Sequence, residues 1–292
     1  MRYLQAIGKI SMNMEGLNKM GKFNLGELAL KTIAVRVKDR DLMIHFYRDI
    51  IGFHLLREEN ELAILGYKEP MTELLWLEES PRANDHKGEI KKMQRFSLAV
   101  PNEEELANVV YRAQKNDYSI HSALKTEKEK GILLVDPEGN EIEVFYAPDE
   151  NSSTEEANAF NVDSLAAKAT KKEKIHQSYF GRVHLNVSDL AKEEDFLSEI
   201  LGLKVQEESG HLRILNRGDF HVGLSQASGG TIDEPTDKVL GLDFLQFIVT
   251  KDDLVALIDH LNENDKEFFV DQKQSLITIY DSVGIEWWFV LK

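Results

Sequence analysis

Ile33–Phe53 reads IAVRVKDRDLMIHFYRDIIGF, and Val183–Leu203 reads VHLNVSDLAKEEDFLSEILGL. The second stretch follows the first by 150 positions (183 − 33), and without a gap it sets Val187 on Val37, Asp189 on Asp39, Phe196 on Phe46 and Gly202 on Gly52. The register continues through Glu58 and Glu208, Leu62 and Leu212, Ile64 and Ile214, and Leu65 and Leu215. Two unrelated strand–helix units do not share so long a run, so the chain carries an internal duplication.

Each copy begins with a strand. Ile33, Val35 and Val37 alternate with Thr32, Ala34 and Arg36, which gives Leu30–Val37 one apolar and one polar face. Asp39 and Asp41 stand where a helix needs an N-cap, and Leu42, Phe46 and Ile50 follow at helical spacing. Gly52 ends that helix, because a left-handed cap costs glycine little. The short apolar runs Phe53–Arg57, Glu61–Tyr67 and Thr72–Glu78 complete a strand, helix and three strands.

A polar stretch, Ser80–Lys92, leads to a second unit: strand Phe96–Val100, helix Glu103–Gln114, and hairpin Ile132–Tyr146 turning on DPEGN, Asp136–Asn140. The third unit spans Arg182–Gln226, and the fourth Leu242–Leu291 with helix Lys251–Asn264. Asp136, Gly139 and Glu141 match Asp281, Gly284 and Glu286, each 145 positions later. The chain is therefore four βαβββ modules, an α+β fold.

Expected boundaries are an N-terminal extension at 1–28, a first domain of modules one and two at 29–148, a linker at 149–179 and a second domain of modules three and four at 180–292. The extension is basic with no apolar core, so it is expected to be poorly ordered and does not resemble a secretory signal; Met12, Met14 and Met20 are alternative starts. The linker is poor in aliphatic residues, acidic and then basic. At 292 residues, two domains agree with the usual limit on a single core.

A net charge of −16 repels phosphate backbones and anionic headgroups, so neither nucleic acid nor a membrane surface is an expected partner. The absence of cysteine excludes disulfides, thiolate nucleophiles and thiolate metal sites. A cytoplasmic location is expected from the lack of a leader, with leaderless release as the route to the surface.

Val35-Arg-Val37-Lys-Asp39, the Phe46-Tyr47 helix ending in Ile50-Ile-Gly-Phe53, and Leu134–Val144, LVDPEGNEIEV, resemble the vicinal oxygen chelate superfamily of glyoxalase I, bleomycin-resistance proteins and extradiol dioxygenases. The resemblance covers about residues 29–147 closely and 180–291 more loosely. It implies that paired modules curl into half-barrel domains, each a cup for a metal or small ligand. Within the superfamily, the two-domain arrangement and Leu77–Arg82, LEESPR, are most similar to the streptococcal CppA family of C3-degrading proteinases. That likeness implies a hydrolase whose partner is complement C3.

In metal-dependent members the resemblance implies His, Gln or Glu ligands on first strands and Glu on last strands. Those places fall here on Thr32, Arg95, Arg182 and Phe244, and on Glu143 and Trp288. Only Glu143 has a ligand's chemistry, and arginine offers no lone pair, so the metal site is expected to be lost and no cofactor retained. In the first cup, Arg36, Arg95 and Ser97 should share a concave face with Glu141 and Glu143, as a buried ion pair or as a seat for an anionic ligand. The second cup should be lined by Arg182, His184, Asn186, Gln246, Glu286 and Trp288. There His184 is either a satisfied polar residue or a general base oriented by Glu286. Trp287, Trp288 and Phe289 are core or a stacking surface for a flat ligand. His211 and His221 could face each other but lack a third ligand.

No catalytic residue is assigned. HExxH and G-x-S-x-G are absent; Gly223-Leu-Ser-Gln-Ala lacks the last glycine of the elbow, and Asp281-Ser-Val is not an aspartic-protease motif. Three readings stand: the C3-degrading proteinase of the resemblance, a metal-free protein binding a small anionic or aromatic molecule in a cup, and a metal-dependent lyase or dioxygenase. A second copy of the chain, as a homodimer, is the other partner left in play.

Overall fold

The computed structural model describes residues 25, 28–84, 88–125, 128–147, 158–209, 212–217 and 220–292. The first module holds strand β1 (Ala29–Val37), helix α1 (Arg40–His45) running into a π-helical turn at Phe46–Ile51, and strands β2 (His54–Glu59), β3 (Leu62–Lys68) and β4 (Met71–Glu79). Asp39 caps α1 by accepting from Leu42 N, and Gly52 closes the π turn at φ 101°. The third module repeats this: β10 (Tyr179–Val187), α4 (Leu190–Asp195) capped by Asp189, a π turn at Phe196–Ile200, then β11 (Lys204–Ser209), β12 (Leu212–Arg217) and β13 (Phe220–Gln226). A π turn at the same place in both copies carries the duplication from sequence into backbone.

The second module holds β5 (Met93–Ala99), α2 (Glu103–Lys115), β6 (Ser122–Lys125), β7 (Lys130–Val135) and β8 (Glu141–Tyr146). The fourth holds β14 (Gly241–Val249), α5 (Lys251–Glu263), β15 (Phe269–Val270), β16 (Leu276–Tyr280) and β17 (Glu286–Leu291). The turns before β8 and β17 are alike: Asp136 Oδ1 accepts from Glu138 N and Asn140 N, and Asp281 Oδ1 from Val283 N and Ile285 N.

Among the described residues one sheet runs β15-β16-β17-β14-β1-β4-β3-β2, and the other β11-β12-β13-β10-β5-β8-β7-β6-β9, where β9 is Asn158–Ala159. Each module's first and last strands pair in parallel, and two modules join through antiparallel first strands, β1 with β14 and β10 with β5. Module one therefore pairs with module four, and module two with module three. The expectation that each half of the chain builds its own cup is corrected: both cups cross the halves. Alternation within a strand fixes which face is buried but not which equivalent edge a strand meets, so the four similar modules left this choice open.

The helices and the apolar strand faces share one continuous core. It passes between the sheets, where Phe220 of β13 meets Phe247 of β14 at 5.0 Å and Phe247 stacks on Trp287 at 5.5 Å. Two boundaries shift. Leu25 and Leu28, placed by the sequence reading in a loose extension, are buried in this core; the remainder of that extension lies outside the described residues. The linker's described part is mostly exposed, yet it is anchored at a few points. Helix α3 (Val162–Ala166) buries Leu165, Ile175 is fully buried with its N–H on Gly52 O at 3.0 Å, and Asn108 holds Thr170. This segment is held largely by hydrogen bonds to α2, which composition does not reveal. No helix among the described residues is long and apolar enough to cross a membrane.

Candidate functional site

The cup of modules one and four is a half-open bowl of about 1100 Å³. Its aromatic wall is built by strand register: Ala34 pairs with Phe244 across β1 and β14 and with Trp76 across β1 and β4, while Gln246 pairs with Trp288. Phe244 and Trp288 stack with centroids 4.1 Å apart and planes 6° from parallel, and Trp76 meets both edge-on at 5.5 and 6.4 Å. Thr32, at a ligand register position, is fully buried and donates to Glu73 O at 3.0 Å, so its hydroxyl serves the sheet.

Arg36 sits at one side of this bowl. Its Nη2 donates to Asp243 Oδ1 at 2.8 Å, and its Nη1 to Glu78 Oε1 at 3.0 Å and Ser80 Oγ at 3.1 Å. Burial would lower the Arg36 pKa, but Asp243 and Glu78 hold it above its ordinary value. Glu78 is raised, first by burial and then by Asp243, against the pull of Arg36. Two carboxylates thus share one guanidinium, which leaves an excess of negative charge. Glu286, paired with Phe244 in register, and Tyr280 also line the bowl, and burial followed by Glu286 raises the Tyr280 hydroxyl.

The cup of modules two and three is lined with polar pairs. Arg95 grips Glu141 Oε2 through Nε at 3.0 Å and Nη2 at 2.9 Å. Glu143 Oε2 accepts from Ser97 Oγ at 2.5 Å. Arg182 binds Glu129 at 2.6 Å and lies over the Phe145 ring at 4.0 Å. His184 Nε2 and Ser225 Oγ share a hydrogen bond of 2.7 Å. Burial, then the charge of Arg95, lowers the His184 pKa, so the ring is neutral near pH 7. Gly223 is what lets the imidazole lie there, since a Cβ at that position would stand 2.5 Å from Nδ1.

Several sequence expectations are corrected here. Arg36 does not share a face with Arg95, Glu141 and Glu143, because its strand belongs to the other sheet. Gln246, Glu286 and Trp288 part from Arg182, His184 and Asn186 for the same reason. His184 and Glu286 accordingly form no dyad; the ring pairs with Ser225. Glu143 pairs with Ser97 instead of Arg95. The aromatic run divides by strand alternation, with Trp287 and Phe289 fully buried in the core and Trp288 in the bowl. His211 lies outside the described residues, so a His211–His221 pair is not described.

Trp76 and Asp243 join the site without being among the sequence candidates, and Ser225 joins it as the partner of His184. Trp76 shares parity with Glu78 in Thr72–Glu78, so alternation could have placed it on the concave face. Asp243 is the extra residue at a register shift opposite Ala34/Val35, and a bulge removes the alternation that would locate it.

Among the described residues no group of three or more His, Asp or Glu side chains could hold a metal ion. The register positions where the superfamily would hold one carry Phe244 and Trp288, a sheet-bonded Thr32, two arginines and, as the one possible donor, Glu143 held by Ser97. A donor set of three is not assembled, and the residues present do not fit a divalent ion.

The family model described as Glyoxalase/Bleomycin resistance protein/Dioxygenase superfamily matches residues 29–144, and the CppA C-terminal model matches residues 176–289. A curated relative, the catechol-2,3-dioxygenase of Bacillus subtilis strain 168, is 25% identical over 242 residues, 77% of this chain and 84% of its own. Among solved structures, the CppA protein of Streptococcus pneumoniae TIGR4 superposes with a TM-score of 0.66 at 20% identity, covering 92% of this chain and all of its own. A dioxygenase-like protein of Bacillus subtilis superposes with a TM-score of 0.64 at 13% identity, covering 92% and 86%. With its paired modules and half-barrel cups, the chain carries a glyoxalase/bleomycin resistance/dioxygenase superfamily domain at residues 29–144 and matches the CppA C-terminal family over residues 176–289.

Proposed function

We propose that the chain is a binding protein that takes a small molecule with a flat or apolar face into the cup of modules one and four without a metal. The stack of Phe244 on Trp288, with Trp76 across it, carries this reading. Aromatic side chains stand where the superfamily's donors would converge, and they offer ring faces and edges for dispersion and stacking. A bowl of about 1100 Å³ lies just above the about 300–1,000 Å³ usual for small-molecule sites. The dioxygenase named for the Bacillus subtilis relative would call on ligands that Thr32, Phe244 and Trp288 do not supply. The test is a fluorescence titration of the purified protein against a panel of planar and branched apolar molecules. Saturable quenching that disappears in Trp288→Ala is expected, and a flat response to the whole panel would overturn the reading.

A second reading, the proteinase implied by the CppA family, has one observation in its favour. The 2.7 Å bond between His184 Nε2 and Ser225 Oγ is the contact by which a histidine activates a serine nucleophile. Incubation with complement C3 decides it: fragments that vanish in Ser225→Ala would support hydrolysis, and intact C3 at stoichiometric protein would end it.

A further inference from the structure

We propose that the molecule taken by the cup of modules one and four is an organic cation, a quaternary or protonated amine carried on an apolar body; this rests on the binding reading above. Among the described residues lining the bowl, Glu59, Glu61, Glu78, Asp237, Asp243 and Glu286 are acidic, and Arg36 is the one Lys or Arg. Arg36 is already shared between Asp243 and Glu78, at 2.8 and 3.0 Å, so its charge is spent within the wall. Asp237 is met by Lys238 at 3.4 Å and Glu59 by Arg57 at 4.0 Å, so the surplus of negative charge beside the three aromatic rings rests on Glu61, Glu286 and the two carboxylates that share Arg36.

Those two features select the same ligand class. The face of an indole carries the negative lobe of its quadrupole, and a cation held within about 6 Å of it gains more as water is excluded. Carboxylates around the mouth add a longer-range attraction, focused by the low-dielectric walls. An anion would meet the same field as a repulsion and find the guanidinium engaged. A neutral apolar molecule would gain the ring contacts and nothing from the rim. A bare metal ion would find carboxylates dispersed around a wide mouth, with no three-donor group. The whole-chain charge of −16 steers a cation inward at low salt.

The experiment is a tryptophan-fluorescence and calorimetric titration with three probes of similar size: choline, its uncharged isostere 3,3-dimethylbutan-1-ol, and the anion pivalate. Choline is expected to bind about tenfold more tightly than the isostere. Its affinity should weaken as salt rises, fall severalfold in Glu286→Gln, and disappear in Trp288→Ala, while pivalate gives no response. Glu286→Gln replaces a carboxylate outside the Arg36 pairs, and an unchanged melting temperature establishes that it is folded. Equal binding of choline and the isostere, or a preference for pivalate, would overturn the cation assignment while leaving a binding cup. No response to any probe would overturn both.

Discussion

Glu193 shows what one residue can do to the stability of this fold. It is fully buried in α4 at the position that Met43 holds in the first copy, and its Oε2 accepts from Ser282 N and Oγ. Burial, with the neighbouring Asp281 adding to it, pushes its pKa up to about 8 from an ordinary 4.5. The native state therefore prefers the protonated carboxyl. Its contribution is fully present below pH 4.5, where both states are protonated, and is lost as pH rises through the folded value. The slope is at most about 1.4 kcal/mol per pH unit. Glu193→Gln should flatten the fall in stability between about pH 5 and 8, leaving a shallower one from Asp281; urea melts across that range measure it, and parallel curves for both proteins would contradict the assignment. At Gly52 a Cβ would need φ 101° and would lie 2.7 Å from Arg112 Nη2, a guanidinium held by the carbonyls of Ile50 and Ile51. Gly52→Ala should cost about 1–3 kcal/mol in the same melts.

At the scale of elements, much is legible in the sequence. The caps at Asp39 and Asp189, the closing glycines and the DPEGN turn are local chemistry, and each falls where its residues demand. The aromatic run is the sharper case. Trp287→Ala should cost about 3–5 kcal/mol because it empties the core beside Phe247, whereas Trp288→Ala should leave thermal stability within about 1 kcal/mol and affect binding instead. Equal losses at both sites would mean that the strand alternation is misassigned. The segment 158–178 carries less local signal. Its polar composition reads as a free linker, yet Ile175 is inserted beside Gly52 and the Lys172 carbonyl receives the buried Arg112. Ile175→Ala should therefore destabilise the chain by about 2–5 kcal/mol, where a free tether would show no change.

At the scale of the molecule, the duplication determined the fold class but not the pairing. Every module offers the same alternating first strand, and the choice of β14 for β1 and β10 for β5 rests on long-range packing that no local pattern expresses. The site shows this most clearly: alternation alone puts Arg36, His184 and Glu286 on concave faces, and only the long-range pairing decides which module supplies their partners. Because both cups cross the halves, residues 29–148 expressed alone lack the partner strands of β1 and β5. They should show no cooperative unfolding transition as a monomer.

The central claim is that aromatic and cationic side chains have replaced the ion in these cups, and metal loading addresses it most directly. Protein purified without chelators, incubated with ferrous, zinc or nickel ions and freed of excess by gel filtration, should retain substoichiometric metal by elemental analysis, unchanged by Glu143→Ala. One equivalent of metal per chain, lost in that variant, would contradict the account.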